Sequence, residues 1–401
     1  MATDTKDCAR SLSAASVLEL LGARPRLLAL GEPTHGEDAL LDLRNALFRQ
    51  LVEEAGYRTI ALESDCLAGL RVDAYVNGGE GLLDEVVARG ISHGWGGSAA
   101  NRALVRWMRA FNEGRPAGDR VRFAGFDGPL EISAAASPRA ALTTLHARLA
   151  AHVDPGLLPC GADTLDRLLG ADERWTDPAV MYEPARSVGR SPEAAELRLI
   201  ADDLAALLEE QAPLLLAETS REEVELARLH ARTALGLLRY HHGMADPTPA
   251  RLPRLLGIRD RMMAENLLAL AERGPVFAYA HNSHLQRERS SMRMGGEPLV
   301  WWSAGALVSG HLGAEYAFLP TALGTLRHQG VDAPPPDTLE GRLHARLPEP
   351  AALLDPRRLT AALGPALPEP RVSPWFGYAP LDPAHLPAAD ALVFVRDVPH
   401  R

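Results

Sequence analysis

Three apolar runs in this chain each end in groups able to do acid–base work. Leu27-Leu28-Ala29-Leu30-Gly31 runs into Glu32-Pro33-Thr34-His35-Gly36. Thr59-Ile60-Ala61-Leu62 ends at Glu63, and Val276-Phe277-Ala278-Tyr279-Ala280 runs into His281-Asn282-Ser283-His284. Short apolar runs bounded in this way read as buried strands of a parallel sheet. Ligands of such sheets bind at the carboxyl ends of the strands. Two glutamates and three histidines, distant in sequence, are therefore expected on one edge, an arrangement suited to hydrolysis.

Within this set, His35 stands in a turn between a strand and a helix N-terminus. A helix dipole there disfavours imidazolium, so the ring is expected to be neutral and able to act as a base. Glu32, three residues earlier, could accept from one ring nitrogen and fix the tautomer. Arg44 falls inside the apolar stripe of Leu40, Leu41, Leu47 and Phe48 on the following helix. A guanidinium in such a place needs a partner, and Glu32 or Glu63 is the expected one. His281 and His284 have a spacing that could bind metal, but the sequence is not His-Glu-x-x-His and no third ligand follows nearby. Asn282 and Ser283 are candidate donors to an oxyanion. Asp127, at the end of a third strand, is a candidate polar wall. No Gly-x-Ser-x-Gly elbow and no Walker loop occurs, so water activated by histidine is the simplest hydrolytic chemistry.

The elements that must position these groups alternate. Strands are expected at 26–31, 58–63 and 121–126, with helices at 37–55 and 100–113 between them. This implies βαβ units and an α/β fold with a mostly parallel central sheet flanked by helices. A polar, Gly-rich region at 77–100 contains His93 and Trp95, which join Asp127 and Asn282 as candidate substrate-binding residues. Between 131 and 272 a 3.6-residue period dominates 136–152, 192–216, 220–242 and 259–272, which reads as a large helical insertion forming a cleft. His241-His242 reads there as solvated surface. Strands return at 275–280, 298–302 and 315–319, and a last one at 391–396 is expected to rejoin the same sheet. The Pro-rich stretch 331–389, with Pro365 to Pro374, reads as surface loop with short helices. The expected division is 1–130 (α/β core, first part), 131–272 (helical insertion) and 273–401 (second part of the core).

Composition narrows the partners. A net charge of −10 over 401 residues argues against nucleic acid or an anionic membrane. Three cysteines at unrelated spacings offer neither a disulfide framework nor a zinc motif. Met1 to Val17 has no apolar core of a leader, and no apolar stretch is long enough to span a bilayer. A cytoplasmic protein, monomeric and acting on a small molecule, is expected.

The same residues carry a family resemblance. Gly31-Glu32-Pro33-Thr34-His35-Gly36, Arg44 and Ala61-Leu62-Glu63 resemble the signature of the erythromycin esterase family. Further similar segments are Arg106 to Asn112, Gly125-Phe126-Asp127, and Arg259-Asp260 with Met263-Ala264-Glu265-Asn266. Ala280 to His284, Ala304 to Leu307 and Asp390 to Val395 complete a likeness over residues 16–397. The resemblance implies hydrolytic opening of a macrolide-type lactone or a related bulky natural-product ester, without metal or other cofactor. It implies that His35 is the general base, that Glu32 and Glu63 accompany it, and that Arg44, His281 and His284 complete the catalytic set. A biosynthetic lyase or cyclase using the same residues, a metal-dependent hydrolase and a non-catalytic binding protein are the alternatives. Two departures stand out: Gly96 to Asn101 replaces a usually acidic segment, and Pro33 replaces a small residue.

Overall fold

The computed structural model describes residues 8–131, 134–294, 296–364, 366–373 and 375–400. Met1–Asp7, and Pro365 and Pro374 of the Pro-rich stretch, lie outside the described residues. Strands β1 (Leu27–Glu32), β2 (Thr59–Asp65), β3 (Arg122–Asp127), β4 (Val276–His281) and β5 (Tyr316–Leu319) form one sheet. Their order is β5-β1-β4-β2-β3, and every pairing is parallel. The α/β architecture with a parallel central sheet is as expected.

The strand order decides the site. β4 comes from more than 200 residues after β2, yet it inserts between β1 and β2. In register, Glu32 lies opposite His281, and Leu62, one residue before Glu63, lies opposite Tyr279. The carboxyl ends of the three middle strands therefore meet side by side.

Alternation along the strands builds a core on each face. Leu28, Leu30, Ile60, Leu62, Phe277 and Tyr279 point one way, into a cluster shared with Leu40, Leu47, Phe48 and Leu51 of helix α1 (Asp38–Ala55). Leu104, Val105 and Met108 of α2 (Ala99–Asn112) extend that cluster. Helices α3 (Arg139–Ala150), α4 (Pro192–Glu210) and α5 (Arg221–Met244) pack around a core of their own, including Leu145, Leu149, Leu197, Leu204 and Leu238. Leu27, Ala29, Ala61, Val276 and Ala278 point to the sheet's other face, against Met263, Ala264 and Leu267 of α6 (Arg251–Ala271) and Val308 of α7 (Ala304–Leu312).

The last third of the chain departs from expectation. Residues 391–396 do not rejoin the main sheet. β6 (Thr321–Thr325), β7 (Ala351–Leu354), β8 (Leu392–Asp397) and the edge pair Ala9–Arg10 form a second sheet, in which β8 runs parallel to β6 and antiparallel to β7. The switch falls at Pro320, between β5 and β6; proline has no N–H to donate to a ladder, so one strand ends there and another begins. Among the described residues, 298–302 pair only with Arg289–Met294, in a two-stranded hairpin. Part of the Pro-rich stretch is built in rather than loose. Thr34 forms a β-bridge with Tyr378, and the Ala379 N–H donates to the Pro33 carbonyl at 2.8 Å. This strap fastens the turn that carries His35. Among the described residues no helix is long and apolar enough to cross a membrane.

At Gly31, β1 runs close against the chain beyond β4. A Cβ there would sit 2.2 Å from Asn282 Oδ1 and 3.1 Å from its Cα. Gly31→Ala is expected to destabilise the fold by about 1–3 kcal/mol through overpacking. Urea unfolding of the two proteins checks this, and equal midpoints would contradict it.

Candidate active site

Glu32 ends β1 and is 4% exposed, so both its oxygens need partners within the protein. Oε1 pairs with Nδ1 of His35 at 2.7 Å, and Oε2 accepts the Tyr279 hydroxyl at 2.5 Å. His35 sits in the turn before α1, where Gly36 takes φ +80°, a left-handed conformation that glycine adopts without strain. Its side chain is 35% exposed, and among the described residues Nε2 makes no protein hydrogen bond.

Glu63 ends its apolar run deep in the same edge. It accepts from Arg259 Nη2 at 3.0 Å and from the His281 backbone N–H at 2.9 Å, and it faces His284 Nε2 at 3.4 Å. Arg259, from α6, also clamps Asp127 with Nε at 3.0 Å and Nη2 at 2.6 Å. Asp127 in turn faces Nε2 of His93 at 3.3 Å, and Glu131 takes the other side of that ring at 2.9 Å. Burial alone would raise the Glu63 carboxyl, but His284, His35, Arg259 and the His281 N–H outweigh it and hold the group far below the usual carboxylate range.

The three histidines of the site are tuned differently. For His35, burial opposes charging, but Glu63 and the hydrogen-bonded Glu32 prevail and lift its pKa above the ordinary 6.5. The ring expected to stay neutral is thus drawn toward its charged form by two carboxylates. His281, 5.1 Å from His35 between ring centroids, goes the other way: burial and the neighbouring His35 push it down to about 3. Its Nδ1 accepts the Ser283 backbone N–H at 3.2 Å, which places the proton of the neutral ring on Nε2. His284 is buried and raised, because Asp260 at 2.6 Å and Glu63 overcome its desolvation. The Trp301 indole N–H fixes the second Asp260 oxygen. Trp95 lies between two imidazoles, 4.7 Å from His35 and 4.8 Å from His93. His93 itself is at φ 60°, the one non-glycine residue with positive φ among those described.

Several expectations change. Arg44 is 1% exposed but pairs with neither Glu32 nor Glu63. It donates to the amide oxygens of Asn45 and Asn101, each at 2.8 Å, and its guanidinium lies 5.0 Å over the Tyr279 ring. The physical reason is prior occupation: His35 and Tyr279 hold Glu32, while Arg259 and His284 hold Glu63. Asn282 is not a free oxyanion donor. Its amide donates to the Thr321 carbonyl at 2.9 Å and accepts the Thr321 N–H at 3.1 Å, tying the two sheets together. Asp127, the candidate polar wall, is fully buried and paired with Arg259. His241, read as surface, is 1% exposed and bonds the Ala136 carbonyl at 2.8 Å. Sequence reasoning assigned no chemistry to Arg259, Asp260, Tyr279 or Glu131. A signal existed for Asp260, which falls on the apolar stripe of α6 beside Met263 and Ala264, as Arg44 does on α1. Among the described residues, no three His, Cys, Asp or Glu side chains are arranged to hold a metal ion.

Comparison with known proteins gives this edge a context. Residues 52–398 match the erythromycin esterase family. A Bacillus cereus protein of known structure superposes with a TM-score of 0.70 at 19% identity, covering 98% of this chain and 95% of its own. A succinoglycan biosynthesis protein superposes at 0.72 and 16% identity, with 98% and 95% covered. A mutant of the erythromycin esterase EreC, in its open conformation, superposes at 0.68 and 16% identity, with 95% and 92% covered. At these identities the structures establish the shared fold. The family match makes the chain an ester hydrolase. It belongs to the erythromycin esterase family.

The depressed Glu63 carboxyl has a consequence for stability. Its ordinary pKa is 4.5, and the folded value is far lower, so its contribution is complete above that pH and is lost as pH falls below it. Glu63→Gln is expected to flatten the decline of stability with acidification below about pH 4.5. Urea unfolding at a series of pH values measures the slopes; identical slopes in the two proteins would contradict the coupling.

Proposed function

We propose that this protein opens a macrolide-type lactone, or a related bulky natural-product ester, with water activated by His35. One observation carries the reading: a partly exposed histidine at the strand ends, with Nδ1 held by a buried glutamate and Nε2 free. In this reading Nε2 takes a proton from water, and the hydroxide formed attacks the ester carbonyl carbon. Glu32 holds the tautomer and stabilises the imidazolium as it forms. We assign the oxyanion to the neutral His281 ring, 5.1 Å from His35, whose Nε2–H faces the Pro33 carbonyl and would be shared with it. When the tetrahedral species collapses, the alkoxide leaves and takes the proton from His35. Glu63, Arg259 and His284 form the charged floor beneath these two rings, and Asp127 acts through Arg259 and His93. Trp95 supplies an apolar face beside the base, suited to a bulky substrate. A cytoplasmic enzyme of antibiotic resistance or of natural-product biosynthesis is the setting we propose.

The test is mass spectrometry of erythromycin and a panel of other macrolides after incubation with the protein. A mass gain of one water is expected, and in heavy-oxygen water the product acid should carry the label; an unlabelled product would replace hydrolysis with elimination. His35→Ala should lose about 10²–10⁴-fold in rate with the fold intact, the typical contribution of a positioned base. Activity within about threefold of wild type would remove His35 from that role. The base must be unprotonated, so kcat/KM should fall as pH drops through the His35 pKa, at a point above 6.5.

A further inference from the structure

We infer that Tyr279 is a positioning residue that sets, through Glu32, how strongly His35 holds its proton. The inference rests on the reading of His35 as the base. Parallel register places Tyr279 opposite Leu30 of β1, two residues before Glu32 and on the same face of the sheet. From there its hydroxyl reaches Glu32 Oε2 at 2.5 Å, while the other oxygen of the same carboxylate meets His35 Nδ1 at 2.7 Å. A carboxylate only accepts, so the phenol is the donor. Burial, together with Glu32 beside it, holds the phenol far above its ordinary pKa of 10.0, so it remains a neutral donor at every working pH.

Packing does not require this hydroxyl. Phe277, two residues earlier on the same face, is 0% exposed and fills its place with a bare ring. The oxygen of Tyr279 is therefore accounted for by Glu32. Behind the ring stands Arg44, 5.0 Å from its centroid and satisfied by amide oxygens rather than by a carboxylate. Its positive charge thus reaches Glu32 across the phenol. The groups facing His35 are Glu32 from the end of β1, Glu63 from β2, His281 from the end of β4 and His284 just beyond it, with Trp95 against the ring. Arg259 is bonded directly to Glu63, whereas Arg44 acts on Glu32 only through space. A donor on the far oxygen of Glu32 draws charge from the near one and weakens its pull on the imidazolium. The Tyr279 hydroxyl thereby counteracts the tendency of two glutamates to leave His35 protonated.

Histidine-ring NMR titration of the full chain tests this without a substrate, with the His35 signal assigned by its loss in His35→Asn. Tyr279→Phe should raise the apparent pKa read on the His35 ring by about one unit, a tenfold gain in proton affinity. Placing 3-fluorotyrosine, a stronger donor, at position 279 should lower it. A purely structural role would not produce shifts of opposite sign. No shift in either protein, or shifts in the same direction, would overturn the inference. Should Tyr279→Phe fail to fold, the fluorinated ring keeps the volume and the hydroxyl and decides alone. Where a lactone is turned over, the acid limb of kcat/KM should move with the titration. Where none is, the NMR result still stands or falls by itself, separately from the substrate.

Discussion

A carboxylate buried at the end of a parallel strand must be answered by charge and hydrogen bonds, and in this protein one guanidinium answers two of them. Arg259 comes from the helix beneath the sheet and bonds both Glu63, near the end of β2, and Asp127, the last residue of β3. Without it, two carboxylates that are 3% and 0% exposed would face each other with only histidine rings and a backbone N–H to answer them. Everything around them is arranged on that clamp. His284 rests between Glu63 and Asp260, His93 between Asp127 and Glu131, and the His281 backbone N–H on Glu63. The partners of each group are used up, which is why Arg44 meets only neutral acceptors.

Division of labour among the histidines follows from these surroundings rather than from anything in the residues themselves. His281 has Ser283 on one nitrogen and other histidines for neighbours, and stays neutral. His284 is enclosed by two acids and favours its charge. His35 lies at the mouth of the site, reachable from solvent, with one acid bonded and another nearby. Groups of identical chemistry are thereby driven apart in proton affinity, which is how a site acquires distinct acid and base roles. A base raised above its ordinary pKa is stronger but less often free at neutral pH, and the Tyr279 hydroxyl on Glu32 limits that penalty.

The distribution of apolar positions made much of this fold legible. Runs at 26–31, 58–63, 121–126, 275–280 and 315–319 are all strands of the central sheet, because a fully buried parallel strand has to be apolar on both faces. The helix after His35 and its buried Arg44 were equally visible, since one charge within an apolar stripe has nowhere else to point. The second sheet was not. Thr321–Thr325 and Ala351–Leu354 are short, and one follows directly on β5, so no local pattern separates them from it or from loop. Its existence depends on Pro320 ending one ladder and on β8 arriving from far along the chain. The strap that pins Thr34 was likewise hidden, because a β-bridge between distant residues leaves no periodic trace.

By itself the sequence determined which side chains stand at the strand ends: strand length and alternation are local properties, and Glu32, His35, Glu63, His281 and His284 follow from them. Which of these meet, and in what state of charge, was decided by tertiary structure alone. Strand order is a long-range choice, and placing β4 between β1 and β2 put Tyr279 on Glu32 and the His281 N–H on Glu63. Hydrogen-bond partners compete for a fixed number of lone pairs, so Arg44 lost the acids that its position in the sequence promised. Asn282 was taken by the neighbouring sheet for the same reason.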